Sequence, residues 1–241
     1  MDMRALYEWL AFGDTNALAQ FASSKGARAN IIRNHLTTNS STTDGNSFTT
    51  ASVSPGAGRL MLVWIVQTAT TANGPSSFTG TFAGTLTQVA TFGVAATRIS
   101  LYRYLKTSSP DSGTITINFS AGDATTGCAW SIVEYGNVNT SGSNGAGAIV
   151  QNVAAAGGSG TTTTITLAAF EHANNVHAYG LTHGANEATT PGTGFIERGD
   201  TSYATPATAL ETADAVNDTT ADPSWATSVV PRYIAVEVKA G

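Results

Sequence analysis

A single cysteine, Cys128, is all the chain offers, so no intramolecular disulfide framework can hold the fold. Lysine occurs three times, at Lys25, Lys106 and Lys239, and Lys and Arg form no cluster. With a net charge of −5 and a pI near 5.2, the electrostatic footprint of a nucleic-acid binder is missing. Only 11% of the residues are charged, against about 25% in an average domain. No apolar stretch approaches the ~20 residues that a membrane-spanning helix needs. In the first residues, MDMRALYEWLAFGDTN, Asp2, Arg4 and Glu8 interrupt any apolar core of a secretory signal. The expectation is a protein made in the cytoplasm.

Chemical motifs are also missing. There is no G-x-S-x-G nucleophile elbow, no Walker loop and no G-x-G-x-x-G fingerprint. The glycine-rich pieces 142–147 and 157–160 lack the strand–glycine–helix setting that aims backbone N–H groups at a phosphate, and read as hairpin loops.

What the chain has is 38 Thr, 38 Ala, 25 Gly and 21 Ser among 241 residues. Thr is β-branched and suits a pleated, half-exposed surface. Residues 2–24 read differently, as helix: Met3, Leu6, Tyr7 and Leu10 follow helical spacing after a possible Asp2 cap, with Gly13 as the stop. Trp9 and Phe12 add bulk beside that stripe, and Leu18, Phe21 and Ala22 suit a second short helix. Helices this short are marginal alone in water. They must rest either on their own body or on a neighbouring subunit.

Residues 37–47, TTNSSTTDGNS, read as a polar linker. Strand signals follow. Arg59–Thr68 is continuously apolar, as a central strand covered on both faces would be. Phe78–Phe82, Thr85–Phe92 and Arg98–Lys106 are further strands. Ile115, Ile117 and Phe119 alternate with Thr114, Thr116 and Asn118; Cys128, Trp130 and Ile132 share a face; Ile234, Val236 and Val238 oppose Tyr233, Ala235 and Glu237. Thr161–Leu167, Val176–His183, a short Gly194–Glu197, Ala207–Ala215 and Trp225–Val229 complete about ten strands. No internal repeat of fixed period is visible. The expected fold is an all-β antiparallel sandwich or jelly roll behind a short helical N-terminal segment. Residues 1–36 form the arm, 37–47 the linker and 48–241 the sandwich.

Candidate sites are few. His172, His177 and His183 lie near Glu171 and Glu187. On one strand, however, His177 and His183 stand about 20 Å apart, too far for one ion with bonds near ~2 Å. Asp214, Asp218 and Asp222 suggest calcium or a solvated acidic turn, and their spacing fits no calcium loop. No pair of acids can be nominated for glycoside hydrolysis. The reading is therefore no catalytic residue, no cofactor and no metal. Trp64 and Trp130 read as core and Trp225 as a rim position; Cys128 reads as a small buried hydrophobe.

The segments SPGAGRLMLVWIVQT, GTITINFSAG, CAWSIVEYGNV and RYIAVEVKAG resemble the jelly-roll or β-sandwich modules of bacteriophage virion proteins and of some bacterial surface proteins. The resemblance spans about residues 48–241, consists of strand patterns and transfers no catalytic residue. It implies a structural or adhesive role. The leading expectation is a virion capsid decoration protein, homo-oligomeric and attached to a major capsid protein or other virion proteins. Its arm would supply Met3, Leu6, Tyr7, Trp9, Leu10 and Phe12 as the contact. The alternative is a receptor- or carbohydrate-binding module of a phage tail or bacterial surface, using the loops Gly136–Gly147 and His183–Gly194.

Overall fold

A computed structural model describes residues 28–94 and 96–241. The helical segment expected over 2–24, with its six contact residues, lies outside the described residues. Within them regular structure is β, apart from two short 3-10 turns at Ala121–Asp123 and Ser143–Ala148.

The first half of the chain builds one five-stranded antiparallel sheet. Its order is β1 (Ile32–Ser41), β8 (Thr125–Gly136), β3 (Leu60–Ala69), β6 (Thr97–Tyr104) and β5 (Thr87–Val94). The second half builds another. Its order is β13 (Ile196–Ala204), β14 (Ala207–Val216), β12 (Val176–His183), β17 (Arg232–Val238) and β9 (Ile149–Ala156). A three-stranded sheet of β2 (Ser47–Thr49), β7 (Thr116–Asn118) and β4 (Ser77–Thr79) covers the outside of the first. Two ladders, β10 (Gly160–Thr162) with β16 (Ser224–Val229) and β11 (Ile165–Thr166) with β15 (Thr220–Ala221), cover the outside of the second.

The result is a four-layer, sandwich-like stack with three apolar seams. The inner seam joins the two large sheets: Leu60, Leu62, Trp64 and Val66 of β3 meet Val176 and Ala178 of β12 and Ile234, Val236 and Val238 of β17. Met61, Val63 and Ile65 point outward into the first outer seam, with Phe48, Ile115, Ile117, Phe119, Trp130 and Ile132. That is why β3 reads as an unbroken apolar run: both of its faces are covered. The second outer seam holds Tyr179, Leu181, Tyr233 and Ala235 against Ile165, Leu167, Phe195 and Trp225. The alternations in 115–119, 128–132 and 233–238 are realised as expected. Cys128 is buried and unpaired.

In the two large sheets, two strands were not anticipated and a third was expected only as a short piece. Ile32–Ser41 takes in the end of the expected arm and the start of the expected linker, and pairs with β8 along its length. Ile149–Ala156 pairs with β17. The short strand expected at Gly194–Glu197 is instead the nine-residue β13. All three are sheet edges, where one flank has no partner strand and the apolar pattern is weakest. Trp225, expected at a rim, is buried; its ring stacks on His183 at 5.1 Å.

Candidate functional site

Strand direction divides the body into two poles. At one pole Ile32 opposes Gly136, Val176 opposes Val238 and Val138 bridges Ala240. The chain enters the body here. The Arg28 guanidinium donates to the Ala240 carbonyl at 3.2 Å, Asn137 donates to the Asn30 carbonyl at 2.9 Å, and the Asn174 amide donates to the Arg28 carbonyl. Arg28, the first described residue, therefore lies at the pole that also holds residues 239–241.

At the opposite pole Ser41 lies across from Cys128 and Thr68 from Thr97, and the Thr68 hydroxyl meets the Tyr203 hydroxyl at 2.9 Å. The loops 42–46, 70–76, 120–124 and 205–206 gather here. Their residues are nearly all Thr, Ser, Asn, Gly and Ala, types that turn tightly and present hydroxyl and amide groups. Inside these loops Asp123 is buried and accepts from Gln67 at 3.1 Å and Asn73 at 2.7 Å, while Gln67 accepts from the Gly74 N–H at 2.7 Å. A buried carboxylate held this way fixes loop shape.

Four recesses open at this pole. The first, about 370 Å³, is lined by Asn39, Ser41, Thr43, Asp44, Ser47 and Thr49, with Phe48 and Trp130 as its apolar part. Another, about 730 Å³, lies between Thr42, Thr43, Asp44, Thr126, Thr205 and Pro206. Two smaller ones, about 230 and 360 Å³, adjoin them at Thr126. Exposed Asp44 borders three of the four. Hydroxyls, amides and one carboxylate line these openings, over the buried rings of Phe48 and Trp130.

A second polar group lies buried in the outer seam of the second half. Asp200 on β13 stands opposite Glu211 on β14. Glu211 accepts from the Tyr179 hydroxyl at 3.0 Å, and its other oxygen has no partner. Burial, with the charges of Asp200 and Glu197 adding to it and the Tyr179 bond opposing it, pushes the Glu211 carboxyl up to about 8. Burial also raises Asp200 to about 6, against the opposing hydrogen bond from the Thr189 N–H. His177 and His183 lie on this face of β12, and burial lowers each to about 4. His177 meets the Asp218 carbonyl at 3.1 Å and His183 meets Thr189 at 3.0 Å. The two rings have separate partners and do not converge on one ion. Among the described residues no group of three or more His, Cys, Asp or Glu is placed to hold a metal.

The three aspartates of the acidic segment are likewise dispersed. Asp214 is fully buried between Arg33 at 2.7 Å and Arg198 at 2.7 and 2.8 Å, with the Tyr135 hydroxyl at 3.3 Å. Asp218 accepts from the Thr220 N–H and Asp222 from the Thr164 hydroxyl. The loops Gly136–Gly147 and His183–Gly194 do not share an end either. The first leaves β8 at the entry pole, whereas the second starts at the far end of β12 and crosses the outer layer through the Thr190–Ser224 bridge.

Sequence reading did not single out the loops of the recessed pole. Their local signals are turn pairs, Asp44-Gly45 inside what reads as linker and Asn73-Gly74-Pro75 in the loop 70–76. No protein-family model, curated protein or solved structure matches the chain.

Proposed function

We propose that the chain is a non-enzymatic virion structural protein of jelly-roll design, a capsid decoration protein attached by its N-terminal arm. The strand pairing supports the jelly-roll reading. An antiparallel ribbon of eight strands, wound over itself, pairs first with eighth, second with seventh and third with sixth. The first half has these pairs as β1·β8, β2·β7 and β3·β6; β5 extends the large sheet beside β6. The resemblance of the 48–241 strand segments to phage virion modules supplies the setting.

The observation that carries the role is polarity. The first described residues, Arg28 and Asn30, are tied at one pole through Ala240, Asn137 and Asn174. The hydroxyl-lined loops face the other way. Attachment through Met3, Leu6, Tyr7, Trp9, Leu10 and Phe12 would turn a low-charge, rigid surface outward. Each such side chain, fully buried on a capsid lattice, contributes ~1.5–3 kcal/mol before ordering costs, and a homo-oligomer multiplies the effect by avidity. Deleting residues 1–27 is expected to leave a folded body that no longer sediments with capsids. Undiminished co-sedimentation of the truncated chain would reject the role given to the arm.

The recess with Phe48 and Trp130 favours a second reading, a receptor- or carbohydrate-binding module whose contact is the pole opposite the arm. On that reading Thr43→Trp, which fills the recess, abolishes glycan-array binding. The decoration reading expects no glycan signal from either form.

A further inference from the structure

We infer that the chain is two copies of one unit, β1–β8 and β9–β17, each built on a five-stranded sheet, docked face to face through those sheets about a two-fold axis and joined by residues 137–148. Each inner sheet face is thus an interaction surface whose fitting partner is a second copy of the same unit. This does not depend on what either pole binds.

Strand order is the first ground. Read from the opposite edge, the second sheet runs β9-β17-β12-β14-β13, and the first runs β1-β8-β3-β6-β5. Counting the large-sheet strands of each half in chain order, both read first, fifth, second, fourth, third. The outer layers agree as well: β2-β7-β4 in one unit answers β10-β16 and the Thr190–Ser224 bridge in the other.

Register is the second ground, and it matches along the central strands and at the β5 and β13 edges, while the bulges of β1 and β9 fall at different steps. Met61 lies between Glu134 and Tyr104, as His177 lies between Glu237 and Ala215. β5 carries an extra residue, Val89, between the pairs Gln88–Tyr102 and Ala90–Leu101. β13 carries one at the equivalent place, Arg198, between Glu197–Ala213 and Gly199–Thr212. A bulge is a family-level feature of a strand, and chance does not readily put one at the same step of the same pair. One polar contact is repeated too. Asn34 donates to Glu134 at 2.9 Å, and Gln151 donates to Glu237 at 2.7 Å, from equivalent strands to equivalent glutamates.

Geometry at the axis is the third ground. The Ser40 hydroxyl of β1 donates to the Ser202 carbonyl of β13 at 3.3 Å, which puts the first strand of one unit over the third of the other. That is the arrangement a two-fold parallel to the strands produces, an isologous interface. The axis then passes between the central strands, where register makes Trp64 and Gly180 equivalent. Identical residues there would either collide or leave a void. The chain has one large and one absent side chain instead: a Cβ on Gly180 would stand 2.1 Å from Trp64 Cδ1. The same bias runs along both strands, with Leu60, Leu62 and Val66 against the equivalent Val176, Ala178 and Thr182. Divergence after joining made the two faces complementary rather than identical.

The test moves the large side chain across the axis in the full chain, reading thermal midpoints of Trp64→Gly, Gly180→Trp and the double variant. Each single is expected to lose roughly 10–20 °C, one by a cavity and one by collision. The double variant is expected to regain at least half of the larger loss. Leu62→Ala with Ala178→Leu reads the same axis with a smaller volume change, should a tryptophan variant fail to fold. A double variant that melts no higher than its worse single, in both pairs, overturns the inference.

Discussion

Where β6 and β5 of the first unit set Ser100 opposite Thr91, β14 and β13 of the second set Glu211 opposite Asp200. The hydroxyls share a hydrogen bond of 3.0 Å; buried Glu211 beside half-buried Asp200 instead disfavours charge on both carboxyls. Glu211 titrates near 8 in the fold against 4.5 ordinarily, and Asp200 near 6 against 3.8. The native state therefore holds protons that the unfolded chain has released, and stability falls as pH rises through that window. His177 and His183 act in the opposite sense: near 4 in the fold against 6.5 ordinarily, they lower stability as pH falls below 6.5. Between about 4.5 and 6 the two effects offset. Above 6.5 only Glu211 still titrates among the four. Urea midpoints are thus expected to decline from pH 6.5 to 8 and then level off. Glu211→Gln should flatten that decline. An unchanged slope in the variant would show that other groups cause it.

At the scale of elements, legibility followed burial. β3, β12 and β17 lie inside a sheet with a covered face on each side, and their apolar runs or alternations were plain in the sequence, whereas buried Glu211 and Asp214 weakened the pattern of equally covered β14. β1, β9 and β13 are edges with exposed positions such as His35, Asn152 and Glu197, so polar residues dilute their period. β1 was further masked by its composition, since Thr-Thr-Asn-Ser-Ser reads as linker until a partner strand is known. The recessed pole escaped notice because it is assembled from loops far apart in the chain, and turn residues alone do not say which loops meet. What holds the β1 edge in place is an ion cluster across the inner seam: Arg33 of β1 and Arg198 of β13 both bind Asp214 of β14, whose side chain is 0% exposed. Removing the charge leaves two half-buried guanidiniums without a counter-ion. Asp214→Asn is therefore expected to cost about 3–5 kcal/mol and to speed amide exchange first along Ile32–Ser41. Uniform exchange across both large sheets would mean that the cluster supports the whole core and not this edge.

The whole molecule joins two units by a seam that neither can close alone. Leu60, Leu62, Trp64, Val66, Ile99 and Leu101 of the first unit share one buried cluster with Val176, Ala178, Leu210, Ile234, Val236 and Val238 of the second. Separating the units would expose this entire face to water, at roughly 1.5–3 kcal/mol for each large side chain. The linker adds to the union: Asn144 donates to the Thr85 carbonyl at 2.8 Å and accepts from the Leu105 N–H at 2.9 Å, pinning residues 137–148 onto the first unit. Two units with independent cores would melt separately, whereas a shared seam makes the loss of one the loss of the other. A single calorimetric transition is expected, with the calorimetric enthalpy equal to the van't Hoff value. Trp64→Gly, by opening the seam at its centre, should split that transition or broaden it before it abolishes folding. Two resolved transitions in the unaltered chain would show that each unit's outer seam suffices to hold it, and that the inner face is a contact between stable domains.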